Sequence, residues 1–427
     1  MISAVKIGHD KARKHERQPY SRVIDYSLGI SENNKRKWLN LKGQAVDISE
    51  SGIGLHTDHP LEPGNIVWFN GGLDERAGYV KWCANVSGGY RAGIELDGKY
   101  VRRLDDATDI FNKSLEELEQ RCLDSGDYSE KILEATAETI NFICEACKTF
   151  ESEVKDRELI KDARIRFRVR TNPLLSKSYC INRVRTWPQG YQGDYKTLEG
   201  LYRNTPLSEG IGYYLDLCCL NFPLGKAVRN RIEKLQNILR EELLHRHSPS
   251  VLNIACGSCR EVFELASEIE HSRAKFTCID LDNDALAFAA NRLSNTGISP
   301  LLSDQVILRK YNAVRMFDHE MNISEFGMQD IIYSVGLFDY LPTDFLVNLL
   351  RALYGMIKPG GKLIASFKDA ERYRSQEYHW ICDWDGFLQR GEEDFMDILF
   401  RAGIPGSAIN ESREDSGVIV FYIIEKL

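Results

Sequence analysis

Between residues 8 and 103 apolar and polar positions alternate, and Gly, Pro, Asn and Asp interrupt the runs. Segments 44–47, 66–69, 79–82 and 90–96 have the period of short strands separated by turns. A small antiparallel barrel or sandwich would hide the edges of such strands. From 104 to 170 the period becomes helical. Phe111, Leu115, Leu118 and Cys122 share one stripe, and Ile132, Ala135, Thr139, Ile143, Ala146 and Phe150 another, with the turn signal DSGD between them. This zone reads as a helical linker and a candidate dimerisation element. Residues 171–245 are helical and rich in Tyr, Arg and Gly, with one long helix expected over 227–244. From 246 to 427 the pattern is βαβ, with strands expected at 251–255, 275–280, 306–310, 330–335, 361–367 and 418–424. Strands alternating with helices predict a doubly wound, largely parallel sheet. The expected fold class is therefore multidomain: an N-terminal small β-barrel, a helical linker and cap, and a C-terminal α/β doubly wound domain.

At 427 residues, with 43 % apolar and 28 % charged positions, the chain has the composition of a folded multidomain protein rather than a disordered one. A net charge of −8 argues against nucleic-acid binding by the whole surface. Residues 1–50 nevertheless hold ten Lys/Arg against six Asp/Glu, which leaves room for a local anion site. No apolar run approaches the ~20 residues of a spanning helix. The longest, 211–224, is broken by Asp216, Asn221 and Pro223. The N-terminus lacks the apolar core of a secretory signal. Eleven irregularly spaced cysteines fit reduced thiols better than a disulfide framework. A cytoplasmic protein is expected.

In the βαβ zone, VLNIACGSCREVFELA is a buried strand, a Gly turn and a helix start. Gly257 stands where the backbone must turn and approach a ligand without a Cβ in the way. Asp280 ends the next strand, where a carboxylate can accept from both ribose hydroxyls. The pair fits an adenosine-containing ligand. A dinucleotide needs repeated glycines around its pyrophosphate, whereas Ser258, Cys259, Arg260 and Glu261 follow Gly257, and Glu261 is expected to repel a diphosphate. S-adenosylmethionine, with no phosphate and a cationic sulfonium, tolerates this loop; NAD is the weaker alternative.

Residues 251–367 resemble a class I S-adenosylmethionine-dependent methyltransferase, a Rossmann-like fold. NIACGSCRE is similar to the first motif, IDLDNDAL to the ribose motif, and YNAV (311–314) to the loop bordering adenine. DIIYSVGLFDYLPTD (330–344) is similar to the fourth-strand motif, and IKPGGKLIASF (357–367) to the hairpin turn and strand that follow. The resemblance implies that Asn253, Ala255 and Gly257 line the methionine end, Asp280 holds the ribose, Leu281 lies against adenine, and Asn312 and Ala313 meet its edge, with Val335 a further cofactor-binding residue. CGSC departs from the usual Gly-x-Gly. Its Cys-x-x-Cys spacing also suits redox chemistry or, with Cys144 and Cys147, zinc; buried or loop thiols are the plainer reading, and no metal is expected.

A second signature, RTWPQGYQGDY (185–195), lies upstream. With LDLCCLNFPLGKAVRNRIEKL, SVGLFDYL and DWDGFLQR (383–390), it resembles bacterial methyltransferases that make hydroxy-fatty-acid methyl ester signals, over about residues 160–427. Trp187 replaces the basic residue of that family's pattern, and Gln192 its alanine. The resemblance implies a cap over the cofactor that shapes the substrate side, and a carboxylate of a lipid-like acid as the acceptor. Tyr191, Tyr202, Phe338 and Arg390 are the substrate or cap candidates. Methyl transfer is an in-line displacement, so the protein mainly aligns and dehydrates the pair. A carboxylate acceptor needs no base; an amine or hydroxyl does. The catalytic candidates are Asp194, Tyr195, Tyr340 and His379, with Asp339 nearby, and Arg390 or Arg203 could anchor a carboxylate. Their ordinary alternatives are a helix cap, core-edge packing, a buried histidine with its bonds satisfied, and a solvated arginine.

At the N-terminus, Arg13 and Arg17 precede Asp47-Ile48-Ser49-Glu50-Ser51-Gly52. Paired guanidinium groups hold phosphate and stack on a purine. An Asp accepts from the guanine edge, Ser49 adds a hydroxyl, and Gly52 permits the turn. RxxxR followed by DxSxxG resembles the PilZ domain, a bacterial cyclic di-GMP receptor, over residues 8–103. The resemblance implies that Arg13, Arg17, Asp47, Ser49 and Gly52 bind the dinucleotide; a degenerate PilZ fold kept for protein contacts is the alternative. The expected protein is a cyclic di-GMP-responsive, S-adenosylmethionine-dependent methyltransferase acting on a small-molecule acceptor. Its rivals are a non-catalytic effector, and a methyltransferase acting on an amine or a protein side chain. No nucleic-acid partner is expected.

Overall fold

The computed structural model describes residues 17–32, 35–49, 51–70, 77–96, 99–125, 128–154, 156–294 and 302–427. The chain divides into two compact units, Met1–Glu117 with Glu138–Asn172, and Leu118–Ala137 with Pro173–Leu427.

In the first unit, β1 (Gln18–Glu32), β2 (Lys35–Ser49), β3 (Gly52–Thr57), β4 (Ile66–Phe69), β5 (Ala77–Val86) and β6 (Gly89–Leu96) form a closed barrel in the order β1-β2-β3-β6-β5-β4. Every pairing is antiparallel. The period of two that marks these strands fills the barrel: Ile24, Tyr26 and Leu28 alternate inward from β1, Ile53 and Leu55 from β3, Val67 and Phe69 from β4. Helices α1 (Lys99–Ser125), α2 (Glu130–Glu153) and α3 (Arg157–Leu175) follow. Within this unit Phe111 of α1 packs on Phe167 of α3, and buried Asp105 accepts from Arg166 and Arg170.

In the second unit, α4 (Tyr179–Thr186), α5 (Tyr195–Arg203), α6 (Ile211–Leu220) and α7 (Pro223–His245) precede a seven-stranded sheet. Its strands are β7 (Ser250–Ile254), β8 (Lys275–Asp280), β9 (Val306–Lys310), β10 (Gln329–Val335), β11 (Ile357–Lys368), β12 (Ile409–Arg413) and β13 (Ile419–Glu425), in the order β12-β13-β11-β10-β7-β8-β9. Strands β7 to β11 pair in parallel, and β13 and β12 add an antiparallel edge. From β7 the chain winds outward through β8 and β9, then returns to β10 and β11. The reversal opens a crevice beyond the C-terminal ends of β7 and β10, where such sheets bind ligands. The apolar run at 211–220 is a buried helix rather than a span. Its Asp216, wholly buried, accepts from Ser178 Oγ (2.6 Å) and from the backbone N–H groups of Cys180 (3.0 Å), Leu207 (2.9 Å) and Ser208 (3.0 Å), tying α4, α6 and the chain before α6 together. Among the described residues no helix is long and apolar enough to cross a membrane.

Candidate functional site

The loop after β7 is sharply wound: Ala255, Gly257 and Cys259 all have positive φ. At the two non-glycine positions this conformation costs on the order of 1–2 kcal/mol each. It turns the Gly257 N–H onto Asp280 at the tip of β8, where Oδ2 accepts it at 2.8 Å, while Oδ1 accepts from Asp282 N at 2.9 Å. Burial pushes the Asp280 carboxyl above the ordinary aspartate range, against those two backbone bonds. Beneath the loop, Glu261 Oε1 accepts from Asn253 Nδ2 (2.7 Å) and Tyr333 OH (2.8 Å). Glu261 is buried and does not border the cavity, so the expectation that it repels a diphosphate is corrected: its carboxylate supports the loop from below. Cys256 and Cys259 are buried in the same loop. A hydrogen bond from Cys259 holds the Cys256 thiol down, yet burial, Cys278 and Asp280 push it up to about 11, so it is not a thiolate at neutral pH. Among the described residues no group of three or more His, Cys, Asp or Glu could hold a metal ion.

Beyond the loop lies a cavity of about 1080 Å³. Ala255, Gly257, Asp280, Leu281, Asn312, Ala313 and Val335 all border it, as do Tyr191, Tyr195 and Tyr340. Aliphatic side chains cover much of the remaining wall, among them Val184, Leu198, Leu201, Val228 and Leu337. The connection from α4 to α5 closes one side. Tyr191 OH donates to Asp282 Oδ2 (2.7 Å), Trp187 Nε1 to Asp383 O (2.8 Å), and Gln192 Oε1 accepts from Gly386 N (2.7 Å). Gly193, at φ +73°, lets this loop press on its neighbours: a Cβ would stand 2.8 Å from Trp384 and 3.0 Å from Tyr340 OH. The Tyr340 hydroxyl accepts from Trp384 Nε1 at 2.6 Å, and burial raises its pKa, so it is a neutral hydrogen-bonding group.

Several sequence-selected residues do not border the cavity. Asn253 is committed to Glu261. Asp194 is the N-cap of α5, accepting from Lys196 N (2.9 Å), Thr197 N (3.0 Å), Thr197 Oγ1 (2.9 Å) and Arg183. His379 is buried against Phe387. Phe338 packs in the core on Phe367. Arg390 is buried and donates to Phe338 O (3.2 Å), Leu341 O (2.6 Å) and Thr343 Oγ1 (3.3 Å), which staples the turn after β10. Tyr202 accepts from Arg231 at 3.4 Å. Arg203 is exposed outside the wall.

Two wall residues escaped the sequence reading. Lys368 is buried at the end of β11, where its Nζ donates to Asp339 Oδ2 (2.7 Å) and lies 5.1 Å from the Tyr340 ring centroid. Burial lowers its pKa, against the pull of Asp339. Arg231 occupies the buried stripe of α7 with Leu224, Val228, Leu235 and Ile238. A cation at an apolar-stripe position is the signal that could have found it.

A second site lies on the barrel. Asp47, near the end of β2, accepts from Arg17 through one oxygen and from Arg91 of β6 through the other. Gly54 makes that bridge across β3 feasible, since a Cβ there would stand 2.7 Å from Asp47 and 2.8 Å from Arg91. Ser49 Oγ donates to Gly52 O at 3.2 Å, and a Cβ on Gly52 would lie 3.3 Å from Arg17 Nη2. Arg17, Asp47, Ser49 and Gly52 thus gather at one place, joined by Arg91 of β6, in the segment GYVKWCANVSGGYRAGIEL, which resembles the closing strands of the PilZ domain without marking Arg91 for a ligand role. Arg13 lies outside the described residues.

Comparison with known proteins fits both sites. Residues 251–361 match the family described as methyltransferase domain, and residues 11–106 match the PilZ domain. The chain carries a methyltransferase domain and a PilZ domain. Its methyltransferase domain occupies the doubly wound sheet, and its PilZ domain the barrel. No curated protein matches the chain. Solved structures resemble it only loosely. A protein from Bordetella parapertussis is 16 % identical over 75 % of this chain and 96 % of its own, at a TM-score of 0.44. An O-methyltransferase family protein from Burkholderia thailandensis is 15 % identical over 49 % and 62 %, at 0.35. The magnesium protoporphyrin IX methyltransferase of Synechocystis, with S-adenosylmethionine bound, is 14 % identical over 48 % and 85 %, at 0.34. Likenesses this slight carry no weight for substrate.

Proposed function

We propose that the methyltransferase domain methylates a small acceptor with a long apolar body and a carboxylate, and that cyclic di-GMP bound by the PilZ domain changes the rate. The observation that carries the acceptor reading is the cavity itself: adenosyl-type residues Gly257, Asp280, Leu281 and Asn312 in its wall, with many aliphatic and aromatic side chains and the cations Arg231 and Lys368 beside them. In this reading Asp280 takes the ribose hydroxyls, and Asn312 and Ala313 border adenine. The acceptor is ionised at neutral pH and needs no general base. Its oxygen attacks the methyl carbon, the carbon–sulfur bond breaks with its electron pair left on sulfur, and a methyl ester and S-adenosylhomocysteine result. Tyr340 and Tyr195 line the path and help exclude water. Asp194 and Arg390 act as positioning residues, through the α5 cap and the turn after β10.

The regulatory reading rests on Arg17, Asp47, Ser49, Gly52 and Arg91, with Arg13 carried by the motif. The two guanidinium groups are held on Asp47 and would exchange it for phosphate and guanine. Helices α1 and α2 each contribute residues to both compact units, which supplies a covalent route for coupling. The test is methyl release from labelled S-adenosylmethionine with decanoate, decylamine and a mixed protein extract as acceptors. Turnover on decanoate is expected; turnover confined to the amine or the extract would replace the acceptor reading.

A further inference from the structure

Arg231 is 3 % exposed and forms part of the cavity wall. Nη2 donates to Tyr202 OH across a long 3.4 Å, and Nε has no hydrogen-bond partner. Among the described residues no Asp or Glu oxygen comes within ion-pair distance of it. Gly336, just after β10, lets the guanidinium lie close against the backbone of the cavity wall: a Cβ there would stand 3.0 Å from Nη1. A guanidinium does not shed its proton in a protein. Buried without a counter-charge, it is among the costliest groups a fold can keep.

No carboxylate of the described surroundings bonds to it. Asp339 is committed to Lys368, by Nζ at 2.7 Å and by the backbone N–H at 3.0 Å, so the lysine of the same wall is already paired. Glu261 is committed to Asn253 and Tyr333; burial raises its pKa and outweighs the through-space pull of Arg231, which lowers it. The Arg231 guanidinium is therefore left, among the described residues, with no carboxylate in hydrogen-bond contact.

We infer that Arg231 receives a carboxylate that a ligand carries into the cavity. The fork of a guanidinium matches a carboxylate in two parallel hydrogen bonds. The inference rests on reading the cavity as the donor and acceptor site. Two ligands could bring the group: the amino-acid end of the methyl donor, or an acid acceptor.

Calorimetry on the full-length protein separates them. The probes are S-adenosylhomocysteine and 5′-methylthioadenosine, which lacks the amino-acid end, and decanoate and 1-decanol. Arg231→Gln is expected to weaken one carboxylate probe by about ten- to hundredfold, the worth of a charge-assisted hydrogen bond, and to leave both neutral probes within twofold. Loss on S-adenosylhomocysteine assigns the carboxylate to the donor; loss on decanoate assigns it to the acceptor. Arg231→Lys keeps the charge but not the fork, and is expected to lose at least threefold on the same probe. It decides the matter where the glutamine variant does not fold. If both variants bind S-adenosylhomocysteine and decanoate as the wild type does, the inference is overturned. If the wild type binds neither S-adenosylhomocysteine nor methylthioadenosine, the donor site itself fails, and the inference with it.

Discussion

Single residues shape the crevice after β7, and the places of some of them were legible in sequence while others were not. Gly257 and Asp280 stand out because a turn glycine and a strand-end carboxylate at that separation have few other uses. Glu261 follows the same glycine and is chemically just as conspicuous, yet it points into the domain rather than the cavity. Spacing alone does not reveal which side of a tight loop a side chain leaves from. Its environment leads to a test. Burial raises the folded pKa of Glu261, so the stability tied to its protonated form is complete below the unfolded value and is lost as pH rises through the folded value. Glu261→Gln has no such titration. Whatever constant offset the substitution brings, the melting temperature of the variant should gain on the wild type as pH goes from 4.5 to 8. A difference that stays flat across that range would mean Glu261 is charged at little cost.

At the scale of elements, the strands under the site were readable because parallel strands in the middle of such a sheet become short apolar runs, as in β7, and because turn signals bound the others. β8 and β9 fall at the expected residues, 275–280 and 306–310. β12 has mostly polar residues and an exposed edge position, INESR, and gave no such pattern. The loop between α4 and α5 was marked by its glycines and aromatics, but its contacts with residues 381–386 join segments about two hundred positions apart, which no local period encodes. Gly193→Ala tests that junction. The new methyl group must displace Trp384 or Tyr340 and the backbone must leave φ +73°. We expect turnover to fall at least tenfold, with the melting temperature lowered by only a few degrees. Unchanged turnover would show that the loop does not shape the reacting end of the cavity.

For the whole molecule, a PilZ barrel is joined to a methyltransferase domain, and the proposed function couples them through cyclic di-GMP. Asp47 is shared between Arg17 and Arg91, so Arg91→Ala should weaken cyclic di-GMP binding by about ten- to hundredfold, as Arg17→Ala should. Turnover in the wild type is expected to change on adding cyclic di-GMP, and that change should vanish in both variants. A rate indifferent to the dinucleotide in all three proteins would leave the barrel without a regulatory role.

The measurement that bears most directly on the central claim is the affinity for S-adenosylhomocysteine of the wild type and of Asp280→Ala. If Asp280 holds the ribose, the wild type binds at micromolar concentration or tighter and the variant is weaker by at least tenfold. Equal affinities, or no heat with the wild type, would contradict a donor site at the tips of β7 and β8.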